Sequence, residues 1–211
     1  MTRLYLDIET YRRSKYDAFI NERIIAIGVL EDWTPYSEDS LSITSEPEVC
    51  FKVFNEWDLG SEEAVIRRFY EYLNDLIAES KFLVIIGFNI LRFDIPLLIQ
   101  KGVEYGVGSL HDLNKLWHDT FTIDLFQVAL PLNNMLFKGN TLENIANKAR
   151  KHGINIPSTY GRGEDVPRWY EEGKYDEIVK HLKADLEIMR CIDLTNAVVK
   201  VLVQSSSKGN I

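Results

Sequence analysis

The sequence is poor in the residues that mark disulfide-rich and zinc-binding proteins. Its 211 residues include two cysteines, Cys50 and Cys191, whose number and spacing fit neither a disulfide framework nor a zinc site. The histidines His111, His118 and His152 do not form a metal-ligand spacing with one another. The sequence therefore gives no reason to expect disulfide bonds or a structural zinc ion.

Long apolar runs, leader sequences and linkers are also missing from the chain. No apolar run approaches the roughly 20 residues of a membrane-spanning helix. A strand-like segment directly follows Met1 and leaves no room for a signal peptide, and no repeat, low-complexity tract or linker divides the sequence. We therefore expect a cytoplasmic protein that does not bind membranes, with a single domain at residues 1–204 and a frayed tail at residues 205–211.

Two carboxylates interrupt the first apolar segment of the chain. Residues 4–11 read Leu-Tyr-Leu-Asp-Ile-Glu-Thr-Tyr, and we predict a buried β-strand in which Asp7 and Glu9 point to the same face. Adjacent carboxylates repel each other and lose hydration unless a positive charge lies between them, and oxygen ligands suit Mg²⁺ or Mn²⁺. A solvated strand edge, or an N-cap pair for a following helix, explains this segment equally well on its own.

A second polar pair follows the most apolar strand pattern. Residues 82–86 read Phe-Leu-Val-Ile-Ile, which predicts a central strand covered on both faces, and Gly87 ends it. Asn89 and Asp94 then lie in the turn before a helix that begins near Ile95. A turn residue and a helix cap explain this pair equally well when the segment is taken alone.

A histidine and an aspartate share one face of the last predicted helix, which we place at about residues 176–203. His181 and Asp185 are four residues apart, so they stack one turn from each other. Taken alone, a solvated histidine–aspartate pair is the better explanation. The apolar face of the same helix consists of Ile178, Leu182, Leu186 and Met189.

The remaining sequence alternates strand and helix patterns, which favours an α/β protein. In chain order, these elements are strands at residues 24–30 and 48–54, a helix at 61–78, a strand or strand–helix junction at 120–125, a helix at 141–152 and a surface loop at 154–163.

Together, the three polar segments resemble the DEDD superfamily of 3′–5′ exonucleases. The likeness is closest to the proofreading exonuclease domain of family B DNA polymerases and its stand-alone predicted relatives, and it spans nearly the whole chain. It implies an α/β, ribonuclease H-like fold with a mixed central sheet flanked by helices. The motifs that carry the resemblance are Asp7-Ile8-Glu9-Thr10, Gly87-Phe88-Asn89 with Phe93-Asp94-Ile95-Pro96, and Asp185 on the last helix.

The resemblance implies a two-metal-ion exonuclease that hydrolyses phosphodiester bonds from the 3′ ends of DNA or RNA, with single strands preferred. The cofactor would be a pair of Mg²⁺ or Mn²⁺ ions. One ion would be held by Asp7, Glu9 and Asp185, and Asp7 would bridge to the second. Asp94 would act mainly through a water of the metal site.

The same resemblance implies the substrate-binding residues. Thr10, Asn89 and Phe93 would meet the last nucleotides of the strand, with the Phe93 ring wedged against or stacked on a base. Packing of Phe93 in the core behind the Asp94 turn is the alternative.

One position departs from the polymerase branch of the superfamily. That branch has tyrosine four residues before the last aspartate, where this chain has His181. We expect His181 to take or orient the proton of the attacking water. The alternative is a catalytically silent nucleic-acid-binding or scaffold subunit of a replication or repair assembly; a structure-specific endonuclease on the same fold is a further one.

The net charge of the chain does not by itself predict nucleic-acid binding. Lys and Arg number 24 against 32 Asp and Glu, for a net charge of −8, whereas nucleic-acid-binding proteins usually carry a basic excess or face. We expect modest affinity that weakens with salt, and a partner protein that delivers the substrate. Some basic residues lie near the motifs, and a solvated surface charge is the simpler explanation for each of them. They are Arg12, Arg13, Lys15, Arg92 and Arg162.

Overall fold

A five-stranded mixed sheet forms the centre of the protein. The computed structural model describes residues 1–12, 22–34 and 49–208. The strand order is β3-β2-β1-β4-β5; β1, β2 and β3 pair antiparallel, whereas β4 runs parallel to both β1 and β5. The strands are β1 (Thr2–Tyr11), β2 (Arg23–Asp32), β3 (Val49–Asn55), β4 (Leu83–Gly87) and β5 (Phe121–Asp124).

Helices cover both faces of this sheet. They are α1 (Glu56–Leu59), α2 (Glu62–Glu79), α3 (Asp94–Glu104), α4 (Leu110–Asp119), α5 (Leu125–Val128), α6 (Leu142–Lys151), α7 (Val166–Glu171), α8 (Tyr175–Leu194) and α9 (Ala197–Lys208). Short 3₁₀ turns lie at Leu130–Asn133 and Gly163–Asp165.

The alternation of side chains along β1 divides the core into two layers. Leu4 and Leu6 pack with Leu98 of α3 in one hydrophobic cluster, whereas Tyr5 packs with Leu186 of α8 in the other. Since Asp7 and Glu9 continue the odd-numbered series that begins with Tyr5, they point toward α8.

The expectation of an α/β, ribonuclease H-like fold with a mixed sheet flanked by helices is confirmed. The predicted strand–helix junction at 120–125 is β5 followed directly by α5. Arg13, Lys15 and the predicted start of the third strand at residue 48 lie outside the described residues.

The prediction of one continuous helix over residues 176–203 is wrong. The segment forms two helices, α8 and α9, because the backbone turns at Asn196, where φ is +50°. Asparagine tolerates this left-handed conformation better than most residues, and the turn lets α9 pack against α6 and α8. Helix α9 runs to Lys208, and residues 209–211 of the predicted tail lie outside the described part of the chain.

None of the helices in the described part of the chain combines the length and the apolarity that a bilayer-spanning segment requires.

Candidate active site

Four carboxylates from three separate segments gather beside β1. Asp7 and Glu9 project from β1, Asp94 is the first residue of α3, and Asp185 lies in α8. Burial raises the pKa of Asp7 well above its usual range, and the charge of Glu9 adds to the effect. Asp94 and Asp185 raise it further, which is the electrostatic signature of a tight cluster of like charges.

A glycine lets α8 approach the sheet at this point. Gly28 of β2 lies directly opposite Asp7 in the strand pairing. A Cβ atom on Gly28 would lie 3.1 Å from Leu186 Cδ1 and 3.2 Å from Leu182 Cδ2. The close packing of α8 on β2 therefore brings Asp185, the neighbour of Leu186, to the two carboxylates of β1.

Asp94 is held in a buried position at the start of α3. Its residue is 4% exposed, and the cap position before it, Phe93, makes no side-chain capping bond. Burial raises the pKa of Asp94 to about 7, although backbone hydrogen bonds at Asp94 and Ile8 lower it and the charge of Asp124 raises it again. Asp94 is thus a member of the carboxylate cluster as well as a helix-terminal residue.

Asp124 is a positioning residue that the sequence reasoning missed. It is 4% exposed at the end of β5, where it pairs with Gly87 of β4. Its carboxylate accepts the backbone N–H groups of Asn89 at 2.9 Å and of Leu91 at 3.3 Å, and that of Phe126 at 2.9 Å. The sequence signal for Asp124 was an acidic residue at the end of an apolar strand. Its role could not be inferred without knowing that β4, and the turn that follows β4, lie beside this strand.

His181 faces two of the carboxylates with one ring nitrogen. Its Nδ1 lies 2.6 Å from the carbonyl oxygen of Tyr160, and a carbonyl can only accept, so Nδ1 carries a proton and donates it. Its Nε2 lies 3.4 Å from Glu9 Oε1 and 4.0 Å from Asp185 Oδ2. The ring is 5% exposed and lies edge-on to Trp169, so its orientation is fixed.

Asp185 lies at the mouth of the cluster. Its side chain is 21% exposed, against 10% for Glu9 and 7% for His181. Burial raises the pKa of Asp185, His181 lowers it, and Glu143 of α6 raises it.

Two of the residues predicted to bind substrate, Thr10 and Phe93, are chain neighbours of Glu9 and Asp94, and the third, Asn89, lies in the turn before α3. Thr10 donates its hydroxyl to Glu22 at 2.6 Å. Asn89 is half-buried in the left-handed conformation, with φ at +62°, and its carbonyl accepts the N–H groups of Arg92 and Phe93. Phe93 is half-buried and packs against the core, as the alternative explanation of this residue expected, with part of its surface still open.

The four carboxylates fit divalent cations by their chemistry. Within residues 1–12, 22–34 and 49–208, no Lys or Arg forms an ion pair with any of them. Nor is any group of three or more His, Cys, Asp or Glu in these ranges arranged to hold a metal ion as it stands. Four crowded oxygen-donor side chains without a basic counter-ion match a site that cations would complete, and the repulsion between them opposes a preformed cage.

A cavity of about 370 Å³ opens beside His181 and Asp185. It is large enough to admit a small polar ligand. Its other lining residues are Thr141, Leu142, Glu143, Thr159, Gly161, Arg162, Gly163 and Glu164.

Comparisons with known proteins show the family and the fold of this chain. The family model "DNA polymerase family B, exonuclease domain" matches residues 1–129, which include Asp7, Glu9 and Asp94. The structure of the family B DNA polymerase from the hyperthermophilic archaeon Pyrobaculum calidifontis has a similar fold, with a TM-score of 0.57 and 18% sequence identity. The similarity covers 91% of this chain and 24% of that chain, so this chain spans about a quarter of the length of the polymerase.

No curated protein matches the sequence. The match to the family model nevertheless covers more than half of the residues and includes two of the three motifs. The chain belongs to the exonuclease domain family of family B DNA polymerases.

Proposed function

We propose that this chain is a divalent-metal-dependent 3′–5′ exonuclease that removes nucleotides from the 3′ ends of DNA or RNA, with single strands preferred. The observation that carries the proposal is the gathering of Asp7, Glu9, Asp94 and Asp185 around one point, with His181 Nε2 directed at the cluster. Membership of an exonuclease domain family supports the reaction class.

The carboxylates would hold the cations. Asp7, Glu9 and Asp185 would bind one ion, Asp7 would also face the second, and Asp94 would complete the site from α3. Mg²⁺ or Mn²⁺ ions bound there supply an activated water and stabilise charge on the leaving oxygen. Before metal binding, the raised pKa values of Asp7, Glu9 and Asp94 mean that protons partly take the place of the cations.

His181 would take the proton of the attacking water. Because Nδ1 donates to Tyr160, the lone pair of the neutral ring is on Nε2, which faces the cluster. The water oxygen forms a bond to phosphorus, its proton passes to Nε2, and the bond from phosphorus to the 3′ oxygen of the preceding nucleotide breaks. The 3′ oxygen takes a proton from solvent, and the released product is a nucleoside 5′-monophosphate.

The surroundings of the cluster would position the strand end. Thr10, Asn89 and Phe93 would contact the last nucleotides, with the open part of the Phe93 ring against a base. The adjoining cavity carries Arg162 on its wall, which supplies a positive charge for a phosphate group.

A 5′-labelled single strand incubated with Mn²⁺ or Mg²⁺ tests the reaction. The expected result is a ladder of stepwise shortened products, with no activity in Asp7→Ala. A single internal cut, or cleavage of closed circular DNA, would identify an endonuclease instead, and near-normal activity of Asp7→Ala would overturn the site assignment. Matched DNA and RNA strands assayed in parallel separate the two substrate chemistries.

A catalytically silent nucleic-acid-binding or scaffold module is the second candidate. The observations that favour it are the histidine at position 181 and the net charge of −8. The retention of four crowded carboxylates opposes it, because a module without metal ions would gain stability by losing one of them. Calorimetric titration with Mn²⁺ separates the candidates, since the silent module predicts no binding.

A further inference from the structure

Three consecutive hydrophobic side chains are exposed on the loop that follows α5. Met135 is 64% exposed, Leu136 is 61% and Phe137 is 56%. Single exposed hydrophobic residues are ordinary on a protein surface, whereas contiguous exposed hydrophobic side chains are typical of binding surfaces.

Hydrogen bonds from Asn133 hold the loop in a specific conformation. Asn134 and Met135 both have left-handed backbones, with φ at +52° and +60°, which is costly for residues other than glycine. The Asn133 side-chain amide donates to the carbonyls of Leu136 at 2.6 Å and Lys138 at 3.0 Å. The chain thus stabilises a conformation that directs hydrophobic side chains into solvent.

Arg92 connects this loop to the candidate active site. Its guanidinium carbon lies 4.5 Å from the ring centroid of Phe137 and 5.7 Å from that of Phe126, and the two rings are 5.6 Å apart. Arg92 is exposed and precedes Phe93 and Asp94 in the chain. The loop therefore forms one surface with the segment that carries Asp94. We name this surface the Phe137 platform and define it by Leu91, Arg92, Met135, Leu136 and Phe137.

The charge around the platform differs from that of the whole chain. Residues 125–142 contain no Asp or Glu, although the chain has a net charge of −8. Arg92 belongs to the platform and Lys138 follows Phe137. Lys148 donates to the carbonyl of Leu132 nearby, whereas the Asp124 carboxylate, which accepts the N–H of Leu91, is 4% exposed. A cationic surface with an exposed aromatic ring matches a ligand that has both phosphates and flat unpaired bases.

We propose that the Phe137 platform binds unpaired bases of a single strand whose 3′ end lies in the active site. A base stacks on Phe137, and Arg92, stacked on the same ring, pairs with a phosphate of the strand. The inference rests on the proposed function, because it assumes that the strand end reaches Asp94. It adds residues of the loop at 133–139 to the binding surface and predicts a preference for unpaired strands.

Fluorescence anisotropy with a labelled single-stranded oligonucleotide, in EDTA so that no cleavage occurs, tests the platform. Phe137→Ala should weaken binding by roughly 5- to 150-fold, the loss of one stacked base. The matched control is Phe121→Ala: Phe121 is 58% exposed and its ring lies 6.2 Å from that of Phe82, but it begins β5, at the end away from Asp124. This control should bind like the unchanged protein.

A second pair of variants keeps the test independent of any loss of folding. Phe137→Trp should show tryptophan fluorescence that is quenched when the oligonucleotide binds, while Phe121→Trp should show no such quenching.

Equal affinity of Phe137→Ala and Phe121→Ala, or no selective quenching at position 137, overturns the platform, and so does a protein that binds no single strand. If the unchanged protein yields the product ladder but Phe137→Ala binds the oligonucleotide as tightly as the unchanged protein does, only the platform proposal is wrong. If it binds through Phe137 but yields no ladder, only the proposed hydrolysis fails.

Discussion

At the scale of single residues, the orientation of His181 decides what it can do. The ring cannot turn freely, because Nδ1 donates to Tyr160 at 2.6 Å and Trp169 lies against it. We expect His181→Ala to lower kcat by roughly 10²–10⁴-fold, as for loss of a general base, with little change in KM. His181→Tyr should recover part of the rate, because a phenol can orient the water.

The control for this variant is His152→Ala. His152 also contacts a backbone carbonyl through Nδ1, that of Lys148 at 2.9 Å, but it closes α6 and is absent from the carboxylate cluster. Steady-state kinetics of the variants provide the comparison. An unchanged kcat in His181→Ala would remove His181 from the mechanism.

Asp124 supports a stability prediction at the same scale. Asp124→Ala would leave up to three backbone N–H groups, those of Asn89, Leu91 and Phe126, without their acceptor. A buried donor without a partner costs about 1–3 kcal/mol, and the bond from Phe126 is buried while the other two are partly buried. We therefore expect the free energy of unfolding to fall by at least about 1 kcal/mol. Urea denaturation measures this, and the exposed Asp119→Ala should show no change. A variant as stable as the unchanged protein would mean that the turn finds other acceptors.

At the scale of elements, the sequence predicted those parts of the fold that follow from periodicity. Alternation along β1 predicted that Asp7 and Glu9 share a face, and the apolar pattern at 82–86 predicted a central strand. The break at Asn196 was missed because the apolar spacing continues across it, and one left-handed residue is enough to turn the chain. The role of Asp124 depends on which strand lies beside β4, and periodicity carries no information on strand order.

Gly87 shows how an element terminus shapes the site. A Cβ atom there would lie 2.7 Å from Ile90 Cβ and 3.0 Å from the carbonyl oxygen of Leu6, and Ile90 is fully buried. Gly87→Ala should therefore lower the free energy of unfolding by about 1–3 kcal/mol through overpacking, and displace the turn at Asn89. Gly163→Ala, which has open space around its Cβ, is the control for stability in the same denaturation experiment. Unaltered stability of Gly87→Ala would show that the turn can shift without cost.

At the scale of the whole molecule, the acidic net charge has one concentrated source beside β1. In the absence of metal, burial raises the pKa values of Asp7, Glu9, Asp94 and Asp185, and the charge of at least one neighbouring carboxylate raises each of them further. The folded protein thus holds protons that the unfolded chain releases. The metal-free protein therefore loses stability as the pH rises from about 4 through about 7, the range between the ordinary pKa of an aspartate and that of Asp94. The change for Asp94 alone is on the order of 4 kcal/mol.

Divalent cations should reverse this pH dependence. In the proposed site they would bind the ionised carboxylates of the folded state, so their stabilising effect would increase as protons leave. We expect the melting temperature in EDTA to fall between pH 4 and pH 7 and, with millimolar Mn²⁺, to stay level or rise across the same range. Asp7→Asn should reduce both the fall in EDTA and the gain from Mn²⁺, because it removes one of the repelling charges and one of the ligands. The metal site would be contradicted, and the silent module favoured, if the melting temperature changes with pH in the same way with and without Mn²⁺ and calorimetry shows no heat of Mn²⁺ binding.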